Sequence, residues 1–282
     1  MKNILLPTDF SDNSWNAIYF ALKLFKNVPC QFFVLNTYDP NQKNVIGART
    51  YVRTGMIIDA LAESSENGLK KIETYLKENH ENPLHRFEFV SLKGDLGSVL
   101  KGYQKQKDAD YIVMGTLGAT GAKEVFMGTN SVRVLKSVRE CPIILVPHAY
   151  DLQQFECIVF PTDFSRFYDK YELTPLIELA KLTNAKCKVL YLTQEFDKNE
   201  VQEQNQKILQ DRLSGLDIEF YDVEYDSKLA KSINKFAQEE QADLIAIIHY
   251  QHTFFEKLTR EPVVKRVAFH SQVPLMILPD LI

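Results

Sequence analysis

The chain has little that would tie it to a membrane, a secretory route or a nucleic acid. Its apolar runs fall far short of the about 20 residues that a membrane span needs, and Ile4-Leu5-Leu6 near the start is too short for a signal peptide. The formal net charge is −4 and no basic stripe is present, so the electrostatic footprint of a nucleic-acid binder is missing. These absences predict a cytoplasmic protein with neither a membrane nor a nucleic acid as partner.

Cysteine is also sparse. The chain has four cysteines, none of them in C-x-x-C spacing: Cys30, Cys141, Cys157 and Cys187. We expect reduced thiols, because disulfides are rare in the cytosol. A hydrophobic content of 45% and a charged content of 25% are those of an ordinary soluble globular protein.

One pentapeptide occurs twice. Pro-Thr-Asp-Phe-Ser stands at Pro7–Ser11 and again at Pro161–Ser165, each time directly after a short apolar run. The copies begin 154 residues apart in a chain of 282 residues, which indicates that one domain was doubled. We therefore expect two domains, residues 1–148 and 155–282, joined by a short linker.

Strand patterns alternate with helical patterns in the first half. The strand candidates are Asn3–Leu6, Gln31–Thr37, Arg86–Leu92, Tyr111–Met114 and Ile143–Val146. The helix candidates are Ser11–Lys26, Gly55–Glu78, Leu96–Lys107 and Thr129–Val138. This order predicts βαβ crossovers and an α/β fold with an open, mostly parallel, doubly wound sheet.

The second half repeats this order in about 21 fewer residues. We expect the missing residues to correspond to a long polar loop at Asp39–Thr54 and to part of the helix after it. The dipeptide Thr174-Pro175 predicts that the first helix of the second half starts or kinks there, because proline suits the first turn of a helix and not its interior.

A pair of glycine motifs follows the strand Tyr111–Met114. Gly115-Thr116-Leu117-Gly118 comes first, and nine residues later Gly128-Thr129-Asn130-Ser131 opens a helix. Glycines let the backbone approach a phosphate closely. The free N–H groups and the dipole at a helix N-terminus favour negative charge, and the hydroxyls of Thr129 and Ser131 add donors. The pattern predicts an anion site.

Asp9 follows the first strand at its carboxyl end, where open α/β sheets bind ligands. A carboxylate accepts hydrogen bonds only, which suits the hydroxyl pair of a ribose. A ligand that bridges Asp9 and the Gly128 segment would be a nucleotide. The alternative is structural: the glycines form plain turns and Asp9 caps the helix that starts near Ser11.

Three segments together resemble the universal stress proteins of the ATP-binding type: Pro7–Ser11, Met114–Gly118 and Gly128–Val132. The resemblance covers both halves, so the chain is similar to a tandem member of that family. It implies two five-stranded sheets of order 3-2-1-4-5. It also implies an internal pseudo-dimer, in which Ile143–Val146 pairs antiparallel with Leu275–Leu278; a further homodimer of whole chains stays open.

The resemblance also implies a ligand, ATP, with ADP or AMP as alternatives and with or without Mg²⁺. Asp9 would contact the adenosine, the main chain around Thr37 and Met114 would flank the base or ribose, and the glycine motifs would hold phosphates. The full set of expected contacts is Pro7, Thr8, Asp9, Thr37, Met114, Gly115, Gly118, Gly128, Thr129, Asn130 and Ser131. Asn130 departs from the family, where a small apolar residue is common.

The second half keeps the aspartate, Asp163, but not the glycines. His249-Tyr250-Gln251-His252 replaces the first motif and Glu261-Pro262 replaces the second Gly-Thr. A carboxylate repels phosphate and proline lacks a backbone donor. We therefore expect one ATP per chain, in the first half. His249 and His252 could form a metal pair, but filling the space of the lost glycines is the favoured interpretation.

No catalytic set is visible: the chain has neither a G-x-x-x-x-G-K-[ST] loop nor a G-x-S-x-G elbow. We expect a nucleotide sensor that passes its state to a protein partner, with Arg49, Arg53 or Lys123 as candidate contacts outside the core motifs. The alternatives are a slow ATPase or nucleotidyl-transfer enzyme on the same fold, and a folding or adhesion partner without any ligand.

Overall fold

The computed structural model describes residues 1–40, 51–116, 128–148, 150–193, 198–224, 229–248, 267 and 271–279. The strands are β1 (Lys2–Pro7), β2 (Cys30–Tyr38), β3 (His85–Lys93), β4 (Tyr111–Gly115), β5 (Ile143–Val146), β6 (Cys157–Thr162), β7 (Lys186–Thr193), β8 (Ile218–Glu224), β9 (Leu244–Ile248) and β10 (Leu275–Leu278). The helices are α1 (Asp12–Leu24), α2 (Tyr51–Asn79), α3 (Leu96–Gln106), α4 (Thr129–Ser137), α5 (Lys170–Thr183), α6 (Glu200–Leu213) and α7 (Leu229–Glu239). None of these helices has the length and apolar character needed to cross a membrane.

The described strands form one 10-stranded sheet in the order β3-β2-β1-β4-β5-β10-β9-β6-β7-β8. Strands β1–β5, here called the first lobe, and β6–β10, the second lobe, each have the predicted order 3-2-1-4-5 and are parallel inside the lobe. The lobes join where β5 and β10 run antiparallel, with Ile144 opposite Met276. The predicted α/β fold and the internal pairing of the last strands are therefore confirmed.

Apolar side chains cover both faces of this sheet. Successive residues of a strand point to opposite faces, so Ile4 and Leu6 belong to one buried cluster and Leu5 to the other. Each cluster contains residues of both lobes; Ile144 and Met276, for example, are fully buried together in the first. The two lobes thus share their hydrophobic core across the β5–β10 junction.

The first helix of each lobe begins where a side chain caps it. Ser11 accepts the N–H of Ser14 and starts α1 as the sequence predicts. Asp169 and Glu172 form a capping box that starts α5 at Lys170, although the sequence predicts a start or a kink at Thr174-Pro175. The predicted start is wrong because the capping box fixes the helix one turn earlier, and Pro175 lies inside the helix.

The length difference between the lobes lies mainly in a helix. α2 has 29 residues and its counterpart α6 has 14. The predicted loop at Asp39–Thr54 is too long, because 51–54 already belong to α2. Residues 41–50 of that loop, including Arg49, lie outside the described residues.

Candidate functional site

A cleft opens at the carboxyl ends of β1, β2 and β4. Strands β1 and β4 flank the point where the chain order of the sheet reverses, which is where open α/β sheets bind ligands. The residues that line the cleft are Pro7, Thr8, Asp9, Ser14, Asn36, Thr37, Leu96, Met114, Gly115, Asn130 and Ser131. Most residues of the predicted set therefore meet at one place, and Ser14, Asn36 and Leu96 join them.

The turn between β1 and α1 places Asp9 at the cleft. Its main chain is held by Thr8, whose Oγ1 accepts the N–H of Phe10 at 3.0 Å. Phe10 has a φ of 65°, which is unfavourable for a residue with a side chain and needs such support. Asp9 Oδ1 accepts from the main-chain N–H of Ser11 at 3.2 Å and from its hydroxyl at 2.5 Å. Asp9 thus stabilises the helix start and also faces the cleft.

The second lobe builds the same turn from its copy of the pentapeptide. Phe164 has a φ of 52°, and its N–H donates to Thr162 Oγ1 at 3.0 Å. Asp163 Oδ1 accepts the N–H of Ser165 at 2.9 Å. The repeated motif therefore encodes a strained turn in both lobes, and Asp163 by itself does not indicate a second ligand site.

Gly115 ends β4 at a point where α1 packs tightly on the sheet. A Cβ on this residue would lie 2.2 Å from Nδ2 of Asn13 and 2.9 Å from its main-chain oxygen. Ser131 binds the same corner, since its buried hydroxyl lies 3.0 Å from the carbonyl oxygen of Gly115 and 3.1 Å from that of Thr116. Both residues were expected to hold phosphate; here the glycine also admits α1, and the serine hydroxyl also fixes the end of β4.

The N-terminus of α4 presents unpaired donors. Gly128 is the N-cap, with a φ of −60° and no side-chain cap, and its own N–H donates to the Thr116 oxygen at 2.7 Å. Within the described part of the chain, the N–H groups of Thr129, Asn130 and Ser131 have no hydrogen-bond acceptor. Unpaired N–H groups and the helix dipole favour an anion here. The Thr129 side chain is exposed and lies outside the cleft lining.

In the described part of the second lobe, large side chains stand at positions that small residues occupy in the first. Tyr168 stands 154 residues after Ser14, is buried, and its hydroxyl lies 2.6 Å from Thr162 Oγ1. The burial raises the pKa of this phenol, so it stays neutral. Tyr191 has the position in β7 that Asn36 has in β2, because each directly follows the residue that pairs with the proline of the pentapeptide. The ring of Tyr191 stacks on Phe164.

The third replacement is Ile248, which pairs with the last residue of β10 as Gly115 pairs with the last residue of β5. The side chain of Ile248 is buried. Four residues connect β1 to α1, whereas seven connect β6 to α5. The second lobe therefore has no counterpart of the first lobe's open corner among these residues.

Sequence reasoning missed the two cleft residues that this comparison makes visible. Ser14 and Asn36 are small and polar, and both have a tyrosine at the matching position of the second half. That contrast was a signal in the sequence. Leu96 begins α3 directly after Asp95, whose side chain caps that helix, and no sequence signal marks it as a cleft residue.

Several predicted residues lie outside the part of the chain that the structure describes. They are Gly118 and Lys123 in the first half, and His249, His252, Glu261 and Pro262 in the second. The loss of the second set of glycines thus remains a sequence observation. The replacement of small residues by Tyr168, Tyr191 and Ile248 is independent of it.

The cleft combines three kinds of group. Asp9 is a carboxylate, Asn36 and Asn130 are amides, and Met114 is apolar. An acceptor for hydroxyls, an apolar wall and a helix N-terminus suit the ribose, the base and the phosphates of a nucleotide. The residues present therefore fit such a ligand.

Gly115 gives a test of how tightly this corner is packed. We expect Gly115→Ala to lower the free energy of unfolding by about 1–3 kcal/mol, because the added methyl group overlaps Asn13. Gly102→Ala on α3 is the matched control: nothing lies within 4 Å of its Cβ position, so it should raise stability by about 0.5–1 kcal/mol. Urea unfolding of both variants measures this; equal effects would contradict the close approach.

Comparison with known proteins agrees with the fold. The model of the universal stress protein family matches residues 1–147 and again residues 155–279. A universal stress protein of Methanocaldococcus jannaschii is 28% identical over 145 residues, which is 51% of this chain and 81% of that protein. The protein YxiE of Bacillus subtilis, also a universal stress protein, is 25% identical over 150 residues, 51% of this chain and 98% of its own.

Among solved structures, a universal stress protein from Archaeoglobus fulgidus superposes with a TM-score of 0.71 at 16% identity, covering 98% of this chain and 96% of that one. At 16% identity, this structural similarity shows the fold alone. The family model, in contrast, matches nearly the whole sequence in two copies. The chain belongs to the universal stress protein family, as a tandem member with one family domain in each half.

Proposed function

We propose that this protein is a cytoplasmic adenine-nucleotide sensor of the stress response, which binds one ATP in the first lobe. The observation that carries the proposal is the contrast between the lobes. The first lobe has an open cleft lined by Asp9, Thr37 and Met114. In the second lobe, Tyr168 and Ile248 are buried at the positions of Ser14 and Gly115. ADP or AMP would use the same contacts with fewer phosphates.

The proposed ligand would lie along the ends of β1, β2 and β4. The carboxylate of Asp9 would accept hydrogen bonds from the ribose, and the base would lie near Thr37 and Met114. The phosphates would extend to the N–H groups of Asn130 and Ser131 at the start of α4. The phosphates of ATP carry negative charge, which a bound Mg²⁺ would partly neutralise. No residue of the described chain is proposed as a ligand of that metal.

Sensing is favoured over rapid catalysis. Among the described cleft residues Asp9 is the only carboxylate, and its Oδ1 already accepts two hydrogen bonds from Ser11. A general base must lie within hydrogen-bond reach of the attacking group, and in the proposed pose Asp9 lies at the ribose, not at the phosphates. We therefore propose that bound ATP turns over slowly or not at all, and that a protein partner reads the occupied state.

Stoichiometry tests the proposal. Calorimetric titration with ATP and Mg²⁺ should give one site per chain. Asp9→Ala should weaken ATP binding at least about tenfold, because a hydrogen bond to a charged group contributes about 1.5–3 kcal/mol. Asp163→Ala is the matched control, since it changes the same turn in the second lobe, and ATP affinity should be unchanged.

Two results would overturn the proposal: no heat of binding with intact protein, or two equal sites that respond alike to the two substitutions. Incubation with ATP for hours separates the sensor from the slow enzyme. A sensor retains about one nucleotide per chain, whereas an enzyme releases ADP or pyrophosphate over many turnovers.

A further inference from the structure

A groove of about 590 Å³ lies between α1 and α2 in the first lobe, and it shares no lining residue with the cleft. Phe10 and Trp15 form its wall on the side of α1, and α2 supplies Glu63, Asn67 and Lys71. These three side chains of α2 are exposed, so the groove is part of the surface of the protein. It is called the α1–α2 groove below.

Aromatic side chains extend the wall of the groove along the surface. The ring of Trp15 stacks on Tyr19 with the ring centroids 5.8 Å apart, and it meets the ring of Tyr75 edge-on at 5.3 Å. Tyr19 and Tyr75 are 38% and 41% exposed. Tryptophan and tyrosine are enriched at protein interfaces and in their hot spots, because they combine a large apolar area with a polar group.

The groove is a feature of the first lobe and not of the fold. The helix α6, which is the counterpart of α2, has 14 residues where α2 has 29. Asn205 of α6 donates to the main-chain oxygen of Phe164 at 2.9 Å, and Gln202 donates to that of Asp163 at 2.8 Å. In the described part of the second lobe, the counterpart helix therefore lies directly against the pentapeptide turn.

The charges that α2 presents at the groove are self-complementary. Glu63, Asn67 and Lys71 stand four residues apart and so lie on one face of the helix. Within the described residues, none of the three side chains has a hydrogen bond or an ion pair. If a second α2 runs antiparallel with the two Asn67 residues opposite each other, Glu63 of each copy faces Lys71 of the other. The two Asn67 amides, each a donor and an acceptor, can then bond to each other.

We propose that two copies of this chain form a symmetric dimer through the α1–α2 groove, with the α2 helices antiparallel. The pairing of β5 with β10 lies inside one chain and offers no strand edge there to a second copy. In a two-fold interface every contact occurs twice. Trp15 and Tyr75 supply the apolar part of the contact, and the two Glu63–Lys71 pairs set its direction.

The experiment exchanges these charges on the whole chain and measures association by sedimentation equilibrium. The intact protein should form a dimer as its concentration rises. Glu63→Lys and Lys71→Glu should each weaken the dimer at least about tenfold, because like charges replace both ion pairs. An equal mixture of the two variants should associate about as well as the intact protein. In the mixed dimer, both contacts between these positions again join opposite charges.

Lys101→Glu is the matched control. Lys101 is an exposed residue of α3, and α3 packs on the opposite face of the sheet from α2, since Leu100 and Leu69 belong to different buried clusters. The change of charge is the same as in Lys71→Glu. The dimer of this variant should be as stable as that of the intact chain.

Fluorescence of the intact chain gives a measurement that needs no variant. Trp15 is the only tryptophan in the sequence, so its emission reports on the groove. The emission should move to shorter wavelength over the concentration range in which the dimer forms, because the partner copy removes water from the ring. An unchanged spectrum would place the contact on another surface and overturn the proposal.

Three further results would overturn it: an intact chain that stays monomeric, a dimer that neither charge variant weakens, or variants that do not associate when mixed. A monomeric chain that binds a different protein through the groove would likewise show that the occupant is not a second copy. None of these measurements uses a nucleotide, so the proposed function stands or fails independently.

Discussion

A Gly128→Asp variant should lose ATP affinity by at least about 100-fold while its Tm stays the same or rises. Gly128 is the N-cap of α4 with a φ of −60°, which any residue can adopt, and no side chain caps the helix. Aspartate is a preferred N-cap and should stabilise α4 by a few tenths of a kcal/mol. The same carboxylate would stand beside the proposed phosphate position, where like charges a few ångströms apart repel by about 3 kcal/mol.

The Gly128→Asp variant is informative because its ATP affinity should fall while its Tm does not. Most substitutions that abolish binding also weaken the protein, so the loss can be ascribed to misfolding. Titration calorimetry and thermal melting are carried out on Gly128→Asp and on Gly128→Ser. Serine is also a good N-cap but is uncharged, so the difference between the two variants reports the effect of the charge on ATP affinity. The serine variant should bind ATP within a few-fold of the intact protein. Normal binding by the aspartate variant would remove α4 as the phosphate site.

The order of the sheet was accessible from the sequence, and the helix boundaries less so. Continuous apolar runs such as Ile143–Val146 mark buried parallel strands, and the family resemblance supplies their order and the pairing of the lobes. The start of α5 was misjudged because Pro175 was given more weight than the D-x-x-E capping signal at Asp169. Proline removes one hydrogen bond, whereas the capping box satisfies several helix-start donors.

Residue types in the sequence predicted which groups form the cleft, but not how each is used. Ser131 was chosen as a hydroxyl donor, yet its hydroxyl lies against the carbonyl oxygens at the end of β4. Gly115 was chosen for close approach of a phosphate, yet α1 makes the closest approach. Asn36 was overlooked in the sequence, and the register of β2 on β1 is what places it at the cleft.

The shared core predicts that the lobes unfold together. Met276 on β10 is fully buried opposite Ile144 on β5, so Met276→Ala leaves a cavity that both lobes line. We expect it to lower the free energy of unfolding by about 2–5 kcal/mol and Tm by roughly 5–15 °C, in a single transition. Met56→Ala, at a side chain that is 68% exposed on α2, should change stability by less than about 0.5 kcal/mol.

Differential scanning calorimetry decides between one unit and two. Two separate transitions, of which Met276→Ala shifts only one, would contradict the common core. A single transition has a consequence for the proposed sensor: ATP at a hundred times its Kd would stabilise the whole chain by about 2.7 kcal/mol, although it contacts only the first lobe. The second lobe would then respond to a ligand that is proposed to bind only the first, because β5 and β10 join the two cores. Such a response would let a partner on either lobe read the occupancy of the first.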